Sequence, residues 1–336
     1  MKSTVALLAV LLSLAFVPAY FAADTLPLQL SDAEFWKMIE DFSESDGDFP
    51  YENFVSNEIK YQTVIPELKR TIQPGGVYLG VAPEQNFTYA AVLQPKISFI
   101  VDIRRQNMLE LLMYKALFEM SPTRAEFLSN LFSRPRTAEL TDSLGLEGMF
   151  NALEDIRPSS AMHDKTLQSI KDNLKQHQYK LSGKDLSGVT KVFDAFYRGG
   201  PRMDYRFASA TPTQNVPSFV SLMTTDDRTG TNWNFLATKA AYDRVRDMQR
   251  RNVIVPLVGD FAGPKTLRAV ASYLKRNSAV VSVFYISNVE YYVQMKGKDW
   301  ASYQQNLAAL PTDSSSTFIR WVSSTGITSL EPMKPR

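Results

Sequence analysis

The sequence predicts an α/β fold: a doubly wound, mostly parallel sheet with helices ahead of it and a helical section inserted within it. Three observations predict it. Short apolar runs at 77–81 and 97–102 are each followed by a helical stripe, and the same alternation returns beyond residue 203. Strand–helix–strand order of this kind favours parallel pairing through right-handed crossovers. The runs are also apolar throughout rather than alternating, the pattern of strands covered on both faces. Between about 121 and 203, by contrast, the pattern is helical only.

The elements follow in order. Residues 24–48 are acidic and open on a helix, with Ser31 and Glu34 as a capping box and Phe35, Trp36, Met38 and Ile39 as its apolar stripe. A second helical stretch is expected over 53–70, interrupted by Pro66. Gly75-Gly76 turns the chain into the first strand. Pro83 then stands near the first position of a helix that Gln94-Pro95 ends. The helix after the second strand, 106–120, is apolar on nearly every face and so belongs to the interior. In the middle section, Leu167, Ile170 and Leu174 form one stripe, and Leu186, Val189, Val192, Phe193 and Phe196 form another. Strands are then expected at 218–223, 253–258, 279–286 and 317–322, with helices between them and a loose tail after the last.

Composition narrows the chemistry. The 336 residues include no cysteine and two histidines, His163 and His177, which excludes thiol chemistry and makes a metal centre a poor expectation. Both histidines fall in polar helical sequence and are expected at the surface. A formal charge of +2 argues against nucleic acid as a partner and leaves a small molecule as the expected one. Met1-Lys2, an apolar run from about 5 to 17, and Ala19, Ala22 and Ala23 have the form of a secretory signal peptide. The run is short for a membrane span. Residues 1–23 are therefore expected to be removed on export, leaving 24–336 as a single domain with no stable span.

In open parallel sheets ligands bind beyond the carboxyl ends of the strands, near the reversal of strand order. The residues just after the strands are thus the site candidates: Gly80, Glu84 and Asn86; Asp102, Arg104 and Arg105; Asp260 and Phe261; Asn288 and Glu290. Gly80 and Asp102 stand 22 residues apart, close to the separation of about 20 between a strand-end glycine and a ribose-binding acid. Ala82 and Pro83 break the full glycine pattern, and a proline removes an amide that a pyrophosphate would use. That disfavours a dinucleotide and is less damaging for S-adenosylmethionine. Asp102 either accepts two ribose hydroxyls or pairs with Arg104 or Arg105 and merely orders its turn. Asn86-Phe87-Thr88 matches a glycosylation sequon by chance, on a core helix.

The segments 75–89 and 99–107, with 258–264 and 285–290, resemble a family of uncharacterised bacterial proteins similar in fold to class I S-adenosylmethionine-dependent methyltransferases. The resemblance spans roughly residues 30 to 325. It implies a Rossmann-like, methyltransferase-like core with S-adenosylmethionine as cofactor. Gly80, Glu84, Asn86, Asp102 and Arg104 would then lie on the cofactor side, and Arg105, Asp260, Phe261, Asn288 and Glu290 on the substrate side. No Asn-Pro-Pro-Tyr-type segment follows a middle strand, so amino-group methylation has no support. The alternative is an exported, non-catalytic binding protein that reuses the fold.

Overall fold

The computed structural model describes residues 24–333 apart from 206, 208–215, 296, 298, 299 and 323. The expected signal peptide lies outside the described residues. The N-terminal helix α1 (Asp32–Phe42) carries the expected capping box: Ser31 Oγ accepts from the Glu34 amide, and the Glu34 carboxylate accepts from the Ser31 amide. Residues 53–60 are not helical. A short 3-10 turn (Tyr61–Val64) leads into α2 (Ile65–Thr71), where Pro66 opens the helix rather than interrupting it.

The core then runs β1 (Val77–Gly80), α3 (Gln85–Leu93), β2 (Ile97–Asp102) and α4 (Arg105–Met120). The middle section is helical as expected: α5 (Arg124–Phe132), α6 (Leu146–Glu154), α7 (Ser160–Gln176) and α8 (Gly183–Gly199). The predicted strand at 218–223 is instead a helix, α9 (Phe219–Thr224). Ser218 caps it through the Ser221 amide, and a cap of that kind outweighs the strand preference of a short apolar run. Next come α10 (Lys239–Arg250), β3 (Ile254–Val258), α11 (Thr266–Arg276), β4 (Val281–Ser287), α12 (Val289–Met295), α13 (Trp300–Ala309) and β5 (Thr317–Val322). The tail expected to be loose forms β6 (Ile327–Pro332), antiparallel to β5.

Sheet order is β3-β2-β1-β4-β5-β6, with β1 to β5 parallel. Crossovers through α3 and α10 step one way from β1, and those through α11 and α13 step the other, so right-handed connections put the two sets on opposite faces. Packing agrees: α10 lies on α3 and α4, while α11 lies on α1 and α13. Doubly covered, β1, β2 and β3 are buried at every position. Helix α4 is buried on nearly all sides and carries the insertion, with α7 and α8 packed on it. Strand order reverses between β1 and β4, and the carboxyl ends of these strands are where a ligand site is expected. Among the described residues, no helix is long and apolar enough to cross a membrane.

The histidines are less exposed than expected. His177 bridges Asp32 of α1 (2.8 Å) and Glu119 of α4 (2.7 Å), its ring stacked on Tyr179. His163 bridges Asp164 and Asp194 against the ring of Phe193. Each imidazole works as a two-sided polar strut between helices.

Candidate functional site

A cleft with an empty volume of about 860 Å³, part of it open to solvent, lies at the carboxyl ends of β1 to β4. Strand ends form its floor, and the segment 49–58 forms one wall. Phe49, Tyr205, Phe261 and Tyr292 give it an aromatic lining. Phe49 meets Tyr292 edge-on at 4.8 Å, while Phe261 stacks on Phe284 beneath.

Of the predicted residues, Asp102, Arg104, Asp260, Phe261 and Asn288 line this cleft. Asp102 and Arg104 are mutually engaged. A carboxylate offers about four acceptor positions. Arg104 takes three of them on Asp102: its amide (2.9 Å) and Nε (3.0 Å) on Oδ1, and Nη2 (2.9 Å) on Oδ2. Arg104 Nη1 also donates to the Asn53 carbonyl and side chain, and the guanidinium lies against the Phe49 ring. The arginine therefore ties the wall segment to the end of β2, and Asp102 is an internal clamp with room for one further bond, not the two that a ribose diol would ask. Asp260 accepts from the Ala262 amide at 3.0 Å and shapes the turn after β3.

The other candidates do not line the cleft. Gly80 makes space for a neighbour: a Cβ there would sit 2.0 Å from Asn86 Oδ1. Asn86 staples the β1–α3 turn, donating to the carbonyls of Val81, Ala82 and Pro83 and accepting from the Tyr78 hydroxyl. Arg105 points to the insertion, where it pairs with Asp185 in the capping box of α8. Glu290 faces β5, held by Arg320 and the Tyr303 hydroxyl. Glu84 is fully buried below the cleft wall. Its Oε1 accepts the Ser56 amide at 3.2 Å, Oε2 has no partner, and burial pushes its pKa up to about 7. Glu110 of α4 lies near it with neither oxygen partnered, and burial together with Glu84 holds it well above the carboxylate range.

Glu58, Tyr285 and Ser287 also meet at the site, and none of them is among the candidates. Glu58, 2 % exposed, lines the cleft from the wall segment. Its Oε1 accepts the Tyr285 hydroxyl at 2.6 Å and the Ser287 hydroxyl, and Gln85 Nε2 donates to the Tyr285 oxygen. Nothing periodic marks Glu58, because residues 53–60 have no regular structure. Tyr285 and Ser287 did carry a signal: hydroxyls two apart at the end of a strand fall on one face. The backbone is also unusual here. Ala82 and Ser287 have φ of 65° and 50°, both lining the cleft at the ends of β1 and β4. Left-handed non-glycine residues are uncommon and gather at functional sites.

A family described as a domain of unknown function (DUF7790) matches residues 53–335. No curated protein matches the chain.

Proposed function

The chain belongs to the DUF7790 family, a domain of unknown function, and from that premise we propose that its cleft binds a small adenosyl-type ligand, S-adenosylmethionine included, as a methyltransferase-like protein would. The observation that carries this reading is Ala82. It lines the cleft beside the β1–β4 reversal in the left-handed conformation that glycine ordinarily supplies. Ala82 thus has the backbone conformation that a glycine in a ligand-approach loop would adopt. The aromatic walls suit a purine, and the remaining acceptor position of Asp102 suits one ribose hydroxyl. S-adenosylmethionine, when bound, supplies a methyl group to a nucleophile, which asks the protein chiefly for orientation.

Calorimetric titration with S-adenosylmethionine and S-adenosylhomocysteine tests this. Saturable heat in the wild type, lost in Phe261→Ala, is the expected result. No heat from either compound overturns it. The Arg104 clamp on Asp102 favours one alternative, an exported binding protein without catalysis, because the bidentate ribose contact is forgone. Export itself is read from residues 1–23 and is checked by mass spectrometry of the secreted chain, which should begin near residue 20 to 24; a chain still starting at Met1 would refute cleavage.

A further inference from the structure

We propose that Ser287 is a nucleophile activated by Glu58, so that the cleft hydrolyses small uncharged esters. The case begins with the backbone. Ser287 closes β4 at a bulge against β5: Tyr285 pairs with Ile319 and Ser287 with Arg320, leaving Ile286 as the extra residue. Bulges re-aim side chains next to sites. At φ 50° Ser287 sits on a sharp, left-handed strand-to-helix turn before α12, the kind of turn that presents a nucleophilic serine at the top of a sheet.

The hydrogen bonds fix where the protons are. Gln85 Nε2 is only a donor, so the Tyr285 oxygen accepts from it and the Tyr285 proton goes to Glu58 Oε1 at 2.6 Å. The Ser287 proton goes to the same oxygen. A serine whose proton is committed to a carboxylate has its lone pairs free for attack. Burial pushes Glu58 up to about 7 against the bonds from Ser287, Tyr285 and Gln85, which poises it to take and return a proton near neutrality. The titratable groups facing it are phenols held protonated by burial: Tyr78 of β1, Tyr89 of α3 and Tyr285 of β4. Across the cleft stand the Asp102–Arg104 pair and Asp260.

The substrate class follows from the walls. They are mostly aromatic and aliphatic, the guanidinium among them is engaged with Asp102 and Asn53, and Asp260 adds a carboxylate. An apolar or aromatic acyl group fits, and an anionic one does not. In the first step the Ser287 Oγ–acyl bond forms and the ester C–O bond breaks. The serine proton passes to Glu58 and then to the departing alkoxide, which leaves as the alcohol. Water then attacks the acyl-serine, Glu58 takes its proton and returns it to Ser287 Oγ, and the carboxylic acid leaves. Asn288 Oδ1, 3.3 Å from Ser287 Oγ, is a second and longer acceptor for the serine proton.

The test uses the full mature chain with an alkyl fluorophosphonate, read by peptide mass spectrometry, and p-nitrophenyl butyrate hydrolysis beside it. The adduct is expected on Ser287, at a rate that rises about tenfold per pH unit below neutrality and levels above pH 7. Ser287→Ala should melt like the wild type and remain unlabelled, and Glu58→Gln should slow labelling at least about 100-fold. Folded wild type without an adduct on Ser287, or Glu58→Gln labelling at the wild-type rate, overturns the proposal. Should Glu58→Gln not fold, the wild-type pH profile decides, and a rate flat from pH 6 to 8 overturns it. The readout is independent of S-adenosylmethionine binding, so either proposal can fail alone.

Discussion

Replacing Glu84 by glutamine should make the protein more stable at alkaline pH than at acid pH, relative to wild type. Glu84 is fully buried, and burial raises its pKa from 4.5 to about 7. The folded chain therefore keeps a proton that the unfolded chain releases first as pH rises. Stability is highest below pH 4.5, falls as pH climbs toward 7, and is flat beyond. At about 1.4 kcal/mol per pKa unit the whole penalty is about 3 kcal/mol, most of it, about 2 to 3 kcal/mol, accruing between pH 5 and 8. Glutamine is isosteric, keeps an oxygen for the Ser56 amide and cannot ionise. Glu58 titrates in both proteins, while Glu110, which the Glu84 charge helps to raise, is relieved of that charge in the variant, a change that adds to the alkaline gain with the same sign. Urea unfolding at pH 5 and at pH 8 measures it. An equal difference at the two pH values would refute the reasoning, since a buried acid that titrates only on unfolding must separate them.

Other outcomes follow from the same geometry. Gly80→Ala drives a methyl into Asn86 Oδ1 and should cost about 3 kcal/mol in chemical denaturation, since the bond accepted from Tyr78 and the two N–H protons shared among three carbonyls, at about 1 kcal/mol each, depend on that amide; an unchanged midpoint would contradict the staple. Asp102→Ala strands the buried Arg104 guanidinium and should cost about 3 to 5 kcal/mol, so a melting temperature within a degree or two of wild type would show that the clamp contributes little. The bond to Glu119, outweighing burial, raises His177 above 6.5, so its contribution is complete below pH 6.5 and is lost as pH rises through the raised value. Burial alone would raise Glu119, but His177 and Lys115 hold it at about 2, so its contribution is present above pH 4.5 and lost toward pH 2. The α1–α4–α7 junction should thus be firmest between about pH 4.5 and 6.5, and His177→Gln should flatten the alkaline limb in unfolding experiments at pH 6 and pH 8.

The parallel core was legible because its signal is strong: β1, β2 and β3 are unbroken apolar runs, and the capping box of α1 is local chemistry. Elements whose signal is weak were missed. Strand β6 alternates poorly, with Thr328 buried between exposed and half-buried neighbours, so nothing in its pattern declared a strand. Segment 218–223 was apolar enough for either structure, and only the cap at Ser218 decided. At the site, position after a strand accounts for Asp102, Arg104, Asp260, Phe261 and Asn288 lining the cleft. It could not tell which way a side chain would turn, so Arg105 and Glu290 went to α8 and β5. Glu58 lay beyond such reasoning, because a carboxylate brought to the cleft by irregular chain has no period to betray it.

Pro256 in the middle of β3 has a consequence for how these molecules meet one another. The amide and carbonyl of Val258 face away from β2, toward Ser43 and Glu44, so by parity the Pro256 nitrogen faces the same free margin. A strand from a second molecule approaching there would find no N–H at Pro256 and an N–H already taken at Val258, with α1 packed alongside. The β3 margin of the sheet is thus closed to edge-to-edge growth, a protection against aggregation that Pro256 shares with the occupied Val258 amide and α1.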